Sequence, residues 1–409
     1  MGALLSVVHT IAAAAGGAHV VKVRLSAIVP LVLACAAGWV GACGPGLFDG
    51  LTGGSKDAAT EPFDALPPPP PVDAGCAHAY APERPTVADG PDTTERVFAM
   101  ERLRLDTGNQ ASSLPKPAGL DLDRRCTCPE ESACARPDGG AVCDDPNGRD
   151  NQGANFIAQI LPGVPGLRPT AIEDELRNGV YSVLVRVSAW NGTADDPQVN
   201  VALLLSPGLE GRLTDAGPRA PKFDGTDVWA VHPRSLQDGN ALVGQSCSTP
   251  GVFCLPIYTT SSAYVRGDVL VAPFPVVPIA VGLESGSFEL EIRSGTLVAT
   301  LERSGGKLAL VGEISGRVSS ESLLASVTSF INPITKLPIC PGDPSYETLK
   351  QTICALPDIP LDPTKDGTNQ RCDAISNALG FRAPEAKVGA VIPPPSGTPA
   401  CDGGTPKCD

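Results

Sequence analysis

Two short stretches place oxygen donors at a spacing suited to a hard cation. Asp144-Asp145-Pro146-Asn147-Gly148-Arg149-Asp150-Asn151 gathers Asp145, Asn147 and Asp150 around a glycine. Residues 362–373 repeat the theme, with Asp362, Asp366 and Asn369 around Gly367. Calcium takes about six to eight oxygens from carboxylates and carbonyls, and a glycine lets the chain turn around the ion, so the cofactor these loops imply is calcium. Neither loop is an EF-hand: the closing bidentate glutamate is absent, and Arg149 or Lys365 intrudes. The plain alternative is a polar turn rich in Asp, Asn and Gly.

Trp190 and Trp229 are the other candidates for ligand contact. On an open sheet face they stack on sugar rings and imply a glycan partner; more commonly such rings belong to a core or an interface. Catalytic signatures are missing from the sequence: it has no GxSxG elbow, HExxH, GxxxxGK[ST] or GxGxxG. Past the leader only His78 and His232 remain, and His232 follows an apolar strand, where a histidine is usually structural. A hydrolase working with two carboxylates needs a pair close in space, and none of the 45 acidic residues declares itself as one. The reading is therefore a protein that is not an enzyme, with a carbohydrate-binding module and a carboxylate hydrolase as alternatives.

Of 14 cysteines, Cys35 sits in the N-terminal leader, Cys43 directly follows it, and twelve lie beyond. An even number points to disulfides made in an oxidising compartment, and without a CxxC pair zinc is the poorer explanation. The sequence does not fix the connectivity; the candidates by sequence proximity are Cys247 with Cys254, Cys340 with Cys354 and Cys401 with Cys408, each contributing about 2–3 kcal/mol to the fold.

Export is written at the N-terminus. Lys22 and Arg24 precede an uncharged run over residues 25–42, and Val40-Gly41-Ala42-Cys43 resembles a bacterial lipobox. This predicts a signal peptide over 1–42, acylation of Cys43, and location at the outer membrane or cell surface through an N-terminal lipid anchor. A plain signal peptide and an uncleaved anchor of about minimum spanning length are the alternatives. Residues 1–20 fit an n-region poorly, which places the expected translation start near Val21 or Val23. Residues 43–75 read as a tether stiffened by Pro67 to Pro71. Loss of the leader removes two cations and no acid, taking the net charge from −14 to −16. Such a chain, without a basic cluster, is not a nucleic-acid binder; the partners expected are the membrane, a glycan or another envelope protein.

The elements that must position these residues are mostly strands. A Cys-rich loop segment over 76–153, with one strand at Arg96–Asp106, precedes a β-rich body over 154–392 and a loose tail over 393–409. Strands are expected at Gly179–Trp190, Val199–Leu205, Thr226–His232, Ala263–Phe274 and Val276–Leu283. Phe288, Leu290 and Ile292 alternate with charged residues, and the pattern repeats after Ser294-Gly295 and after Ser304-Gly305-Gly306, which predicts an antiparallel meander with turns at those glycines. Helices are expected at Asn155–Ile160, Ala171–Arg177, Ser320–Val327, Tyr346–Leu356 and Arg371–Leu379, the last ended by Gly380. The fold class is mainly β: an antiparallel sandwich or jelly-roll-like body with a few short helices and disulfide-stapled loops.

Taken together, the Cys43 lipobox, the proline spacer, Cys126-Thr127-Cys128 leading to Gly148-Arg149-Asp150-Asn151, and Cys372-Asp373-Ala374-Ile375-Ser376 followed by Gly380-Phe381 resemble the cysteine-rich lipoproteins that myxobacterial genomes encode in numbers. That family has no assigned activity, so the resemblance implies a location and no functional residue carries over. It supports a cell-envelope lipoprotein with a binding or structural role.

Overall fold

Alternation of apolar and polar residues drives most of this chain into strands, and one bent segment turns the resulting sheet back on itself. The computed structural model describes residues 76–92, 94–105, 114, 118–127, 133–140, 142–155, 169–283, 286–331, 337–394, 401 and 406–408. The leader, Cys43, the proline tether and most of the helix expected at Asn155–Ile160 lie outside the described residues.

The strands are β1 (Thr94–Ala99), β2 (Arg102–Arg104), β3 (Ser182–Trp190), β4 (Asp196–Ser206), β5 (Val228–Val231), β6 (Tyr258–Arg266), β7 (Val269–Leu283), β8 (Gly286–Ser304), β9 (Lys307–Ser319), β10 (Ala374–Pro384) and β11 (Lys387–Val391). The helices are α1 (Pro169–Arg177), α2 (Glu210–Thr214), α3 (Ser320–Val327) and α4 (Pro344–Ala355). Nine strands form one antiparallel sheet in the order β1-β3-β4-β6-β7-β8-β9-β10-β2. Its two edge strands are consecutive in sequence. Between them the Met100 amide donates to the Val183 carbonyl of β3 at 3.1 Å, and the Glu101 amide to the Arg382 carbonyl of β10 at 2.9 Å. A bridge between Phe98 and Glu385 completes the join. The sheet thus curls until residues 97–102 clasp both edges, which removes most of the open edge that would otherwise invite pairing with other chains.

The inner face carries the main core. Val183, Val185 and Val187 of β3, Val199, Val201, Leu203 and Leu205 of β4, and Ile292, Leu297, Ala299 and Leu301 of β8 fill it together with Phe98, Phe274 and Phe381. Outside β3 and β4 a second cluster forms where the parallel pair β5–β11 covers Leu184 and Leu204. A third, around Ala133, Cys134, Ile359, Cys372 and Ala374, seals the Cys-rich segment to β10.

The mainly β body with few helices is as expected, and α1, α3 and α4 fall close to their expected places. Several boundaries differ for local reasons. The strand expected at Arg96–Asp106 is broken at Met100-Glu101 because its two halves pair with opposite sheet edges. Gly267 and Asp268 both adopt left-handed backbone and make the tight turn between β6 and β7, splitting the strand expected at Ala263–Phe274, while Val276–Leu283 runs on from it as part of β7. Ser294-Gly295 is a bulge within β8: Ser294 has φ 47°, and the register against β9 slips by one between Arg293 and Thr296.

The helix expected at Arg371–Leu379 is instead strand β10. Ile375, Leu379 and Phe381 enter the core while Ser376 and Ala378 are covered from outside, so burial on both faces hides the strand period. Two cysteine pairings also differ. Cys247–Cys254 is as expected, but Cys340 pairs with Cys401 and Cys354 with Cys408, with Cα separations of 5.5 and 5.3 Å. Both pairings tie the tail back to the segments around α4, since α4 itself holds Cys340 and Cys354 apart.

His232, at the exit of β5, accepts a hydrogen bond at Nδ1 from the Arg234 amide at 2.9 Å, and burial with the neighbouring Arg234 charge lowers its pKa to about 4. The unfolded chain therefore binds a proton at this site before the folded one does, and stability falls as pH drops from about 6.5 towards about 4. His232→Asn keeps an acceptor for the Arg234 amide without titrating. In urea unfolding between pH 4 and 7, with disulfides intact, this variant is expected to lose less stability on acidification than the native chain; parallel curves would contradict that.

Candidate functional site

The most concentrated chemistry lies between the Cys-rich segment and β9–β10. Asp121 and Asp123 stand two residues apart where the chain bends over residues 122–125, so one short stretch supplies two carboxylates. The turn at Asn147-Gly148 brings Asp150 alongside. Gly148 (φ +67°) is required there: a Cβ would lie 2.8 Å from the Arg125 carbonyl and 2.9 Å from Asp121 Oδ2. Gly119 (φ +86°) has the same role opposite, where a Cβ would sit 2.6 Å from the Asp150 carbonyl. One carboxylate oxygen from each of Asp121, Asp123 and Asp150 lies within 4.8 Å of the other two, and the three residues are 6, 4 and 3% exposed. Asp144 and Asp358 join Asp123 and Asp150 in lining a cavity of about 10 Å³, with Thr127, Ala133 and Arg136 on its wall.

Each carboxylate has a different complement of partners. Asp121 Oδ2 is hydrogen-bonded to His78 Nδ1, and the His78 ring stacks on Tyr80. Asp123 Oδ1 accepts from the Arg125 amide at 2.9 Å, Asp144 Oδ2 from Thr127 at 2.6 Å, and Asp150 Oδ2 from Leu122 at 2.6 Å. Asp358 spends both oxygens on Ser376 of β10, on its amide at 2.8 Å and its hydroxyl at 2.5 Å. Among the described residues, two carboxylate oxygens of the cluster, Asp121 Oδ1 and Asp123 Oδ2, are buried without a hydrogen-bond partner, as is Nη1 of Arg136.

Burial raises every one of these carboxyls. Asp123 is pushed up to about 8, by burial first and then by the Asp144 charge, and Asp144 to about 7, chiefly by burial. Asp358 rises to about 6 by burial despite its Ser376 bonds, and Asp150 and Asp121 are raised for the same reason. Arg136 is the guanidinium on the cavity wall, and it is engaged with Asp138 at 3.0 Å through both Nε and Nη2.

A second buried charge anchors this layer to the barrel. Arg317 of β9, 2% exposed, grips both oxygens of Asp366 at 2.7 and 2.6 Å and donates to the carbonyls of Pro360 (2.6 Å) and Leu122 (2.8 Å). The Leu122 carbonyl lies between the two clustered aspartates, so Arg317 sets their position. Ala118 and Gly119 donate to Glu313 of β9, and Gln152 donates to Ser376 of β10. Cys134–Cys372 locks the same layer across 238 residues of sequence.

The donors expected from sequence separate here. Of the first loop, Asp150 enters the cluster, whereas Asp145 and Asn147 face outward because the turn at Asn147-Gly148 directs them away. Of the second, Asp362 caps a short turn by accepting from Thr364, Asp366 is consumed by Arg317, and Asn369 is exposed, so these three form no shell. Trp190 and Trp229 are 1 and 0% exposed. Packed into the main core and beneath β5–β11, they present no face for a sugar to stack on. Asp121, Asp123, Asp144 and Asp358 were not singled out by loop chemistry. The D-x-D spacing at 121–123, next to Cys126, was the readable signal for the first two.

A cavity of this size admits one ion or water and no sugar ring. No family model, curated protein or solved structure matches this chain.

Replacing Arg317 by Met is expected to cost about 3–5 kcal/mol, because Asp366 and two carbonyls lose their cation together. Adding Asp366→Leu to Arg317→Met should recover part of that loss. Denaturant unfolding with intact disulfides reads both values, and a loss under about 1 kcal/mol for Arg317→Met would show that the pair does not anchor the layer.

Proposed function

We propose that this chain is an exported bacterial cell-envelope lipoprotein, acylated at Cys43, whose barrel serves a binding or structural role at the surface. The observation that carries this reading is the set of disulfide-compatible cysteine pairs. Cys76–Cys126, Cys134–Cys372, Cys247–Cys254, Cys340–Cys401 and Cys354–Cys408 staple loop, barrel and tail together, and such a set persists in an oxidising compartment. No helix among the described residues is long and apolar enough to cross a membrane, so attachment falls to the lipobox and the proline tether outside them. The net charge of −14 and the absence of a basic cluster favour a glycan or an envelope protein over nucleic acid as partner. Around the Cys247–Cys254 staple, Phe253 is 77% exposed and Leu255 and Ile257 about half, apolar surface of the kind that supports a binding role.

Expressed in a bacterium with a lipoprotein pathway, the native chain should fractionate with membranes, begin at Cys43 and carry acyl mass there. Cys43→Ala should move it to the soluble fraction. An unacylated chain with free thiols, recovered from the cytosol, would overturn the proposal.

A further inference from the structure

We infer that Asp121, Asp123 and Asp150 form a calcium site, completed by the oxygen-rich wall around Asp144 and Asp358, and that the bound ion pins the Cys-rich segment to the barrel. Three independent features converge on it. The first is geometry: one oxygen from each of the three aspartates lies within 4.8 Å of the others, the span of opposite ligands around an ion at about 2.4 Å. The second is unmet bonding. Among the described residues, Asp121 Oδ1 and Asp123 Oδ2 have no hydrogen-bond partner although their residues are over nine-tenths buried. Leaving a buried carboxylate oxygen unpaired is costly, and a coordinated cation removes that cost. The third is space: the cavity beside Asp123 and Asp150 has a volume of about 10 Å³, enough for a bare ion and too little for a hydrated one.

The chemistry of the site selects the ion. All three ligands are carboxylates, which suit hard cations and exclude the soft-metal sites made by thiolates. Magnesium gives up its waters reluctantly and demands a regular octahedron at about 2.0–2.1 Å, whereas calcium accepts an irregular, protein-only shell at about 2.3–2.6 Å. Charge balance agrees. Asp123, Asp144, Asp150 and Asp358 line the cavity with Asp121 beside them. Against these five stand His78, hydrogen-bonded to Asp121, and Arg136, whose Nε and Nη2 bind Asp138 while Nη1 has no partner among the described residues; Arg317 is committed to Asp366. A dication supplies the compensation that the side chains do not.

The ligands also explain what the ion would do. Asp121 and Asp123 belong to one stretch, Asp150 to the turn after Cys143, and Asp358 binds Ser376 of β10. An ion among them joins three loop segments to a barrel strand, alongside the Cys134–Cys372 staple.

The test uses the full mature chain with disulfides intact, stripped with chelator and titrated with CaCl₂ or MgCl₂ alone. Calorimetry is expected to show one calcium per chain, binding more tightly than magnesium, and the unfolding temperature should rise with calcium. Hydrogen exchange should slow on calcium addition at residues 118–123 and 148–152. Asp123→Asn should weaken calcium binding about tenfold or more, while Asp215→Asn, at an exposed pair with Arg219 outside the cluster, should not. Should Asp123→Asn fail to fold, the titration and exchange of the native chain decide alone. No calcium binding by the native chain, equal binding by a folded Asp123→Asn, or a preference for magnesium would overturn the assignment. None of these outcomes depends on acylation at Cys43, so this test fails or succeeds separately from the envelope reading.

Discussion

Burying like charges together is the constraint on which this architecture turns. Asp121, Asp123 and Asp150 are almost fully enclosed, with Asp144 and Asp358 against the same cavity. Carboxylates taken out of water are tolerated when paired, protonated or coordinated. Some of the pairing is visible, in the amides of Leu122, Arg125 and Thr127 and in the side chains of His78 and Ser376. What remains, among the described residues, is one oxygen without a hydrogen-bond partner on Asp123, at a cavity the size of one ion, and another on Asp121 beside it.

The barrel makes that enclosure achievable. Residues 97–102 clasp the first and last sheet edges, so β9 and β10 are held in place from within. Their outer surface then becomes a firm floor for chain that has little regular structure of its own. Arg317 rises from that floor with only 2% of its surface exposed and holds the Leu122 carbonyl, Pro360 and Asp366 at once. A lysine would not replace it, because the fork-shaped guanidinium meets both Asp366 oxygens while retaining donors for the carbonyls. Cys134–Cys372 and the Asn151 and Gln152 contacts to β10 complete the seam. Rigidity here comes from cross-links and buried charge, since the segment brings few apolar residues to the core.

Much of the barrel was legible in the sequence and much of the site was not. β3, β4 and β9 are visible because one face is apolar over many residues, as with Val183, Val185 and Val187. β10 reads like a helix because it is covered on both faces, and Ser376 and Asn377 interrupt any simple alternation. The Ser294-Gly295 bulge and the Gly267-Asp268 turn are each a two-residue motif, and only tertiary pairing tells one from the other. Asp150 was recognisable from its loop, yet its true neighbours lie about 30 residues upstream at Asp121 and Asp123, brought close by the turn at Gly148. The same long-range closure explains why Cys340 meets Cys401 rather than Cys354. Sequence spacing reports local partners, and here the decisive partners are not local.

The central claim is that a single cation resides among these aspartates. Diffraction from crystals of the mature chain grown with calcium, with manganese substituted for anomalous signal, tests it most directly. The account predicts one peak at about 2.2–2.6 Å from Asp121 Oδ1, Asp123 Oδ2 and an Asp150 oxygen. Density for water alone in that cavity, with the carboxyls bonded to one another through protons, would contradict it.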